Sequence, residues 1–110
     1  MIEQIVLSYL SAHIPAYMEM PEAPPDAPFV LIEKTKGSAK NRILHATVIV
    51  QSYGKSLLEA AETNERVKAL MENIIELDEI SKISLNSDYN FTDTASKRYR
   101  YQAVFDITHY

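Results

Sequence analysis

Two neighbouring stretches with β-strand character most constrain how this chain can fold. The first, Phe29 to Lys34, is apolar and rich in β-formers, and the second, Ile43 to Tyr53, alternates over more than ten residues. A polar connection, Thr35 to Asn41, which contains Gly37, lies between them. Two such runs joined by a polar segment predict a β-hairpin. We therefore expect a long hairpin with a charged tip, followed directly by the main helix.

Charge is distributed unevenly along the sequence. From Lys34 to Lys55 there are five basic residues and no acidic ones, whereas from Glu59 to Glu79 there are seven acidic residues and two basic ones. Opposite charges on separate surfaces favour association between unlike faces of two molecules. Solvated loops and a solvated helix face are the alternative interpretation of the same pattern.

Composition limits the classes of protein to which this chain can belong. Its 110 residues suit one domain, and the absence of cysteine excludes disulfides and cysteine-held metals. Two glycines are too few for a glycine-rich phosphate loop. The net charge of −4 argues against general nucleic-acid coating. No apolar run is long enough to span a membrane, and the N-terminus lacks a basic signal-peptide region, so we expect a soluble protein made in the cytoplasm.

The remaining elements follow from periodicity. Ile2 to Ala12 carries one apolar helical stripe, and the proline-rich span Pro15 to Pro28 predicts an extended crossing. Ser56 and Glu59 form a capping box at the start of a helix that should reach about Leu77. A short strand from Ile80 to Leu85, a polar loop from Asn86 to Lys97 and a strand from Arg98 to His109 complete the chain.

This order, α-β-β-α-β-β, predicts an α+β fold. We expect an antiparallel-rich four-stranded sheet with two helices packed on one face, in a single domain spanning residues 1–110.

A search for reactive groups yields no catalytic constellation. His13, His45 and His109 lack metal-ligand spacing, and we expect them at the surface or at an interface. Asp88 to Asp93 has the alternating oxygen side chains of a calcium loop but lacks the required glycine and the closing acid. Basic and aromatic residues interleave from Lys97 to Tyr101, but alternation along a strand should separate them. We predict a protein that is not an enzyme and has no cofactor or metal.

The order of elements resembles a known family. The cues are the segment Pro28 to Gly37, the strand Ala46 to Tyr53, the small residues Gly54 and Ser56, and an alanine-containing helix. The chain is similar to the tail-terminator, or tail-completion, proteins of long-tailed bacteriophages and prophages. One departure is Tyr53, where the family often has tryptophan.

The resemblance implies a structural protein of virion assembly. It implies a homo-oligomeric ring, usually a hexamer, that caps the tail tube and joins the tail to the head. The expected partners are other copies of this chain, the tail-tube protein and head–tail connector proteins, with no membrane and no sequence-specific nucleic acid, although DNA can pass through the ring. The expected location is the virion tail or neck, and the host cytoplasm during assembly.

Two alternatives remain open at this point. One is a head-completion or neck protein of the same architecture, and the other is a small ferredoxin-like ligand-binding or regulatory module. Within the ring hypothesis, contacts between subunits or with partners are expected at the basic hairpin tip and the acidic helix face. These residues are Lys34, Lys36, Lys40, Arg42, Glu62, Glu65 and Glu72.

Overall fold

The structure is a computed structural model that describes residues 1–26, 28–95 and 98–110. In these residues two α-helices pack on one face of a five-stranded sheet. In chain order the elements are α1 (Ile2–Ser11), β1 (Ala16–Tyr17), β2 (Phe29–Lys40), β3 (Ile43–Gly54), α2 (Leu57–Glu72), a 3₁₀ turn (Ile74–Glu76), β4 (Ile80–Asn90) and β5 (Tyr99–His109).

The predicted four-stranded antiparallel sheet is wrong, although the α+β class is correct. The strand order is β1-β2-β3-β5-β4, and β1 pairs with β2 in parallel, which makes the sheet mixed. Strand β1 has only two residues and directly follows Pro15, so it has no alternation to detect. Its place is fixed by pairing, since the backbone N–H of Val30 donates to the carbonyl of Pro15 over 2.9 Å.

Two other strands are longer than their sequence patterns predict. Strand β2 continues to Lys40 and β4 continues to Asn90, through segments expected to be a connection and a loop. Both segments are polar, so hydrophobic alternation does not mark them. They are strands because β3 and β5 offer each a full row of backbone partners.

One core joins the helices to the sheet. The buried residues Ile2, Val6 and Leu10 of α1 and Val67 and Met71 of α2 belong to the same cluster as the inward strand residues. Those strand residues are Val30, Ile32, Ala46, Val48, Val50, Ala103, Phe105 and Ile107. The opposite face of the sheet has no helix over it in the described residues. None of the described helices is long and apolar enough to cross a bilayer.

The start of α2 confirms the Ser56 half of the predicted capping box, whereas the Glu59 side chain bonds one residue earlier than the box requires. The Ser56 hydroxyl accepts a hydrogen bond from the Glu59 backbone N–H over 3.1 Å. The Glu59 carboxylate accepts one from the backbone N–H of Lys55 over 2.9 Å. The bond to Ser56 satisfies a donor that a helix start would otherwise leave unpaired, and the bond from Lys55 fixes the residue before the helix. The helix ends at Glu72, earlier than expected, and the 3₁₀ turn carries the chain on to Leu77.

Candidate assembly surface

The β2–β3 hairpin ends in a solvent-exposed arm. Every residue from Glu33 to His45 is exposed, and Asn41 and Arg42 alone connect the two strands. Both turn residues have positive φ, 53° and 67°, as a two-residue hairpin turn of type I′ requires. The predicted hairpin is therefore confirmed, but its connection is two residues long and not the seven residues from Thr35 to Asn41.

The arm divides its basic residues between two faces. Lys36 pairs with Thr47 and Lys40 with Ile43, which places both lysines on the sheet face away from the helices. Lys34 pairs with Val48, whose side chain is in the core, so Lys34 lies on the helix side. A bulge between Lys34 and Lys36 causes the switch. In a regular strand, Lys34, Lys36 and Lys40 would all lie on one face. The sequence pattern therefore did not predict this division.

A groove runs between α2 and the edge strand β4 on the helix side of the sheet. Its volume is about 490 Å³. The lining combines apolar groups with acidic ones and consists of Glu65, Lys68, Ala69, Glu72, Ile83, Ser84, Leu85 and Phe105. Leu85 is 46% exposed, which is high for a large apolar side chain on the helix-covered face. The groove exists because β4 is the outermost strand and α2 packs mainly over β3 and β5.

Lys68 is the cation of this groove. Its ammonium group lies 2.8 Å from the Glu65 carboxylate and 3.3 Å from the Asp88 carboxylate. The bond to Glu65 is the main reason that the pKa of Lys68 lies above its ordinary value, with desolvation opposing the shift and Asp88 adding to it. Because the pKa is raised, the stabilisation is present at neutral pH and is lost only as pH rises through the raised value. No ion pair to Glu72 is found among the described residues.

The structure brings together only two of the three predicted acidic residues. Glu65 and Glu72 are seven positions apart, share one face of α2 and both line the groove. Glu62 is exposed but is not part of the lining. The apolar groove residues Ile83 and Leu85 were expected within a short strand from Ile80 to Leu85 but were not predicted as part of a site.

The helix-free face of the sheet carries a polar and aromatic network. Gln51 donates to Gln102 over 2.9 Å, and Gln102 donates to the Tyr89 hydroxyl over 2.6 Å. The Phe29 and Tyr53 rings stack at 4.9 Å. These contacts leave the face half-covered by its own side chains, so it is not a bare apolar surface.

Arg100 contacts two aromatic side chains, and the sequence pattern did not predict either contact. Its guanidinium group lies 4.5 Å from the Phe91 ring centre and donates to the Tyr53 hydroxyl over 3.0 Å. Alternation along β5 separates Arg100 from Tyr99 and Tyr101, as expected. The aromatic partners of Arg100 are instead Tyr53 on β3 and Phe91, which follows β4. Lys97, part of the same interleaved motif, lies outside the described residues.

The three histidines do not share one environment. His13 and His45 are exposed as predicted, and His45 Nδ1 lies 3.2 Å from the Thr108 hydroxyl. The surface prediction for His109 is wrong, because it is buried on the core face of β5. No group of three or more potential metal ligands occurs in the part of the chain that the structure describes.

The first half of the segment resembling a calcium loop, Asp88 to Asp93, is strand. Asp88 and Asn90 belong to β4, Asp88 contacts Lys68, and the Asn90 side-chain oxygen accepts from the backbone N–H of Thr92 over 3.0 Å. These side chains therefore have partners within the protein.

Comparison with known proteins finds no match for this sequence, either to a protein-family model or to a curated protein.

Proposed function

We propose that this chain is a structural protein of phage virion assembly that acts as a tail terminator. Copies of the chain form a ring, most simply a hexamer, which caps the tail tube and provides the surface that joins tail to head. The proposal includes a non-enzymatic role, in the virion tail or neck, with the tail-tube and connector proteins as partners.

The exposed β2–β3 arm is the observation that carries this proposal. The arm has thirteen exposed residues, Glu33 to His45, and contributes little to the core. An ordered hairpin that does not build the core is consistent with a surface that contacts other proteins. The basic residues and the apolar side chains of Ile43 and Leu44 are the mixed chemistry of a protein interface. The segment that carries the family resemblance, Pro28 to Gly37, lies in the same hairpin.

The fold also separates this proposal from the ligand-binding alternative. A ferredoxin-like module has the order β-α-β-β-α-β, whereas this chain has a helix first and an uninterrupted β2–β3 hairpin before α2. The two central strands β3 and β5 pair antiparallel. A head-completion or neck position remains the second candidate, because the same arm and ring would serve there.

The test is capping of tail tubes. Purified protein is mixed with tubes assembled from the tail-tube protein encoded by the same phage, and the tubes are viewed by electron microscopy. We expect a ring at one tube end and arrested elongation. The variant Lys36→Glu/Lys40→Glu should lose capping because it reverses the charge of the arm.

Two outcomes would count against the proposal. Tubes that continue to grow with bare ends in the presence of wild-type protein would contradict the terminator role. Capping that is unchanged in the double variant would contradict the role of the arm. Binding to head connectors without capping would favour the neck position instead.

A further inference from the structure

The α2–β4 groove has an apolar floor and an acidic rim, and nothing in residues 1–26, 28–95 and 98–110 covers it. Ile83, Leu85 and Phe105 supply the apolar part, and Glu65 and Glu72 supply the rim. Lys68 offsets part of this charge through Glu65 and Asp88, but Glu72 keeps its charge unpaired among the described residues. A partner for this groove should therefore present apolar side chains flanked by cations.

The β2–β3 arm has this complementary chemistry. Ile43 is 38% exposed at its end and lies on the same face as Lys40, next to Arg42, whereas Leu44 lies on the opposite face. The end of the arm is narrow, because β5 pairs with β3 only as far as Leu44 and leaves Lys40, Ile43 and the two-residue turn without a third strand. Lys36 adds a further cation on the same face as Lys40.

The arm and groove of one molecule lie on different parts of the sheet. Strand β2 and strand β4 are separated by β3 and β5, which is roughly 14 Å at the usual strand spacing. No ion pair links the arm to α2 in the described residues. The complementary surfaces are thus available to different molecules.

We propose that the hairpin arm of one copy lies in the α2–β4 groove of a second copy. This inference rests on the ring of the proposed function and names the contact that builds it. Because the contact joins two different surfaces, an open row of copies has a free arm at one end and a free groove at the other until the ring closes. Lys36, Lys40 and Arg42 meet Glu65 and Glu72 at the rim, while Ile43, which shares a face with Lys36 and Lys40, covers Leu85.

Charge reversal on each side tests this contact. Lys36→Glu/Lys40→Glu gives an acidic arm facing an acidic groove, and Glu65→Lys/Glu72→Lys gives a basic arm facing a basic groove. Each variant alone should lose assembly, with a loss of at least tenfold in association constant. The quadruple variant restores opposite charges and keeps the net charge of −4, so it should assemble again. Assembly is measured by light scattering, after circular dichroism has verified folding.

Mixing the two double variants gives a sharper result. An acidic arm then fits a basic groove and a basic arm fits an acidic groove, so an equimolar mixture should form rings in which the variants alternate. Native mass spectrometry of tagged copies reads the composition. The control is Glu19→Lys/Glu22→Lys, which makes the same change in net charge at exposed residues outside the groove and should assemble normally.

The outcomes separate this contact from the proposed function. If the wild type assembles and all charge variants assemble equally well, the groove contact is overturned while tube capping stands. If the swaps behave as expected but the rings do not cap tubes, the contact is supported and the terminator role fails. Wild-type protein that stays monomeric, or a mixture that does not assemble, would overturn the contact.

Discussion

Gly54 shows how one residue sets the junction between β3 and α2. A Cβ atom at this position would lie 2.6 Å from the backbone nitrogen of Ala60 and 2.9 Å from the carbonyl carbon of Glu59. Neither backbone atom can move without disturbing the first turn of α2, where the capping box lies. The close approach of strand to helix therefore requires glycine, although its φ is not positive.

We predict that Gly54→Ala lowers the free energy of unfolding by about 1–3 kcal/mol, because the added methyl group overpacks the junction. Gly37→Ala is the matched control, since its Cβ would lie 3.5 Å from the nearest atom, an ordinary contact. Urea denaturation of the three proteins measures the difference. Equal losses in both variants would show that the β3–α2 junction can relax.

Single residues also show where sequence patterns stop being informative. The capping pair Ser56 and Glu59 was predictable, because it depends on local spacing alone. The burial of His109 and the contacts of Arg100 were not, because they depend on residues far away in the sequence. The separation of Lys34 from Lys36 depends on a bulge, which no residue type marks.

At the level of elements, the hairpin turn contains a residue type that its backbone conformation disfavours. Arg42 has a φ of 67°, a conformation that costs a residue with a side chain roughly 1–2 kcal/mol. The preferred sequence for this turn is Asn-Gly, and this chain has Asn41 followed by arginine. An arginine held in an unfavourable conformation at the end of an exposed arm is consistent with a role in binding a second copy of the chain.

We predict that Arg42→Gly raises the free energy of unfolding by about 1 kcal/mol, because glycine adopts positive φ without strain. Arg42→Ala removes the same charge but keeps a Cβ, so it should give no such gain. Thermal unfolding compares them. If both variants change stability equally, charge and not backbone conformation governs the turn.

The elements that could be predicted are those with a buried face. Helix α1, the body of the hairpin, α2 and β5 each show the period of their structure, since one side of each lies in the core. Strand β1 and the outer halves of β2 and β4 have no such pattern, because β1 is short and the other two segments are polar. These segments form strands because they pair with neighbouring strands. The sequence patterns therefore predicted four strands where the sheet has five.

For the whole molecule, the main feature is the separation of a basic arm from an acid-rimmed groove. The sequence indicated this polarity through charge counts along the chain. It placed the acidic partner on the exposed face of α2 in general, whereas the structure selects Glu65 and Glu72 and adds the apolar surface of β4. The groove could not be predicted, since it depends on β4 being the outer strand of the sheet.

The mass of the assembled protein tests the central claim, self-association into a ring, most directly. Light scattering at concentrations from micromolar to several hundred micromolar should give a closed species of six subunits, about 75 kDa for a 12.5 kDa chain. Because the interface pairs opposite charges, raising the salt concentration should shift the species towards monomer. A protein that remains a monomer or a dimer across this range at low salt would contradict the ring.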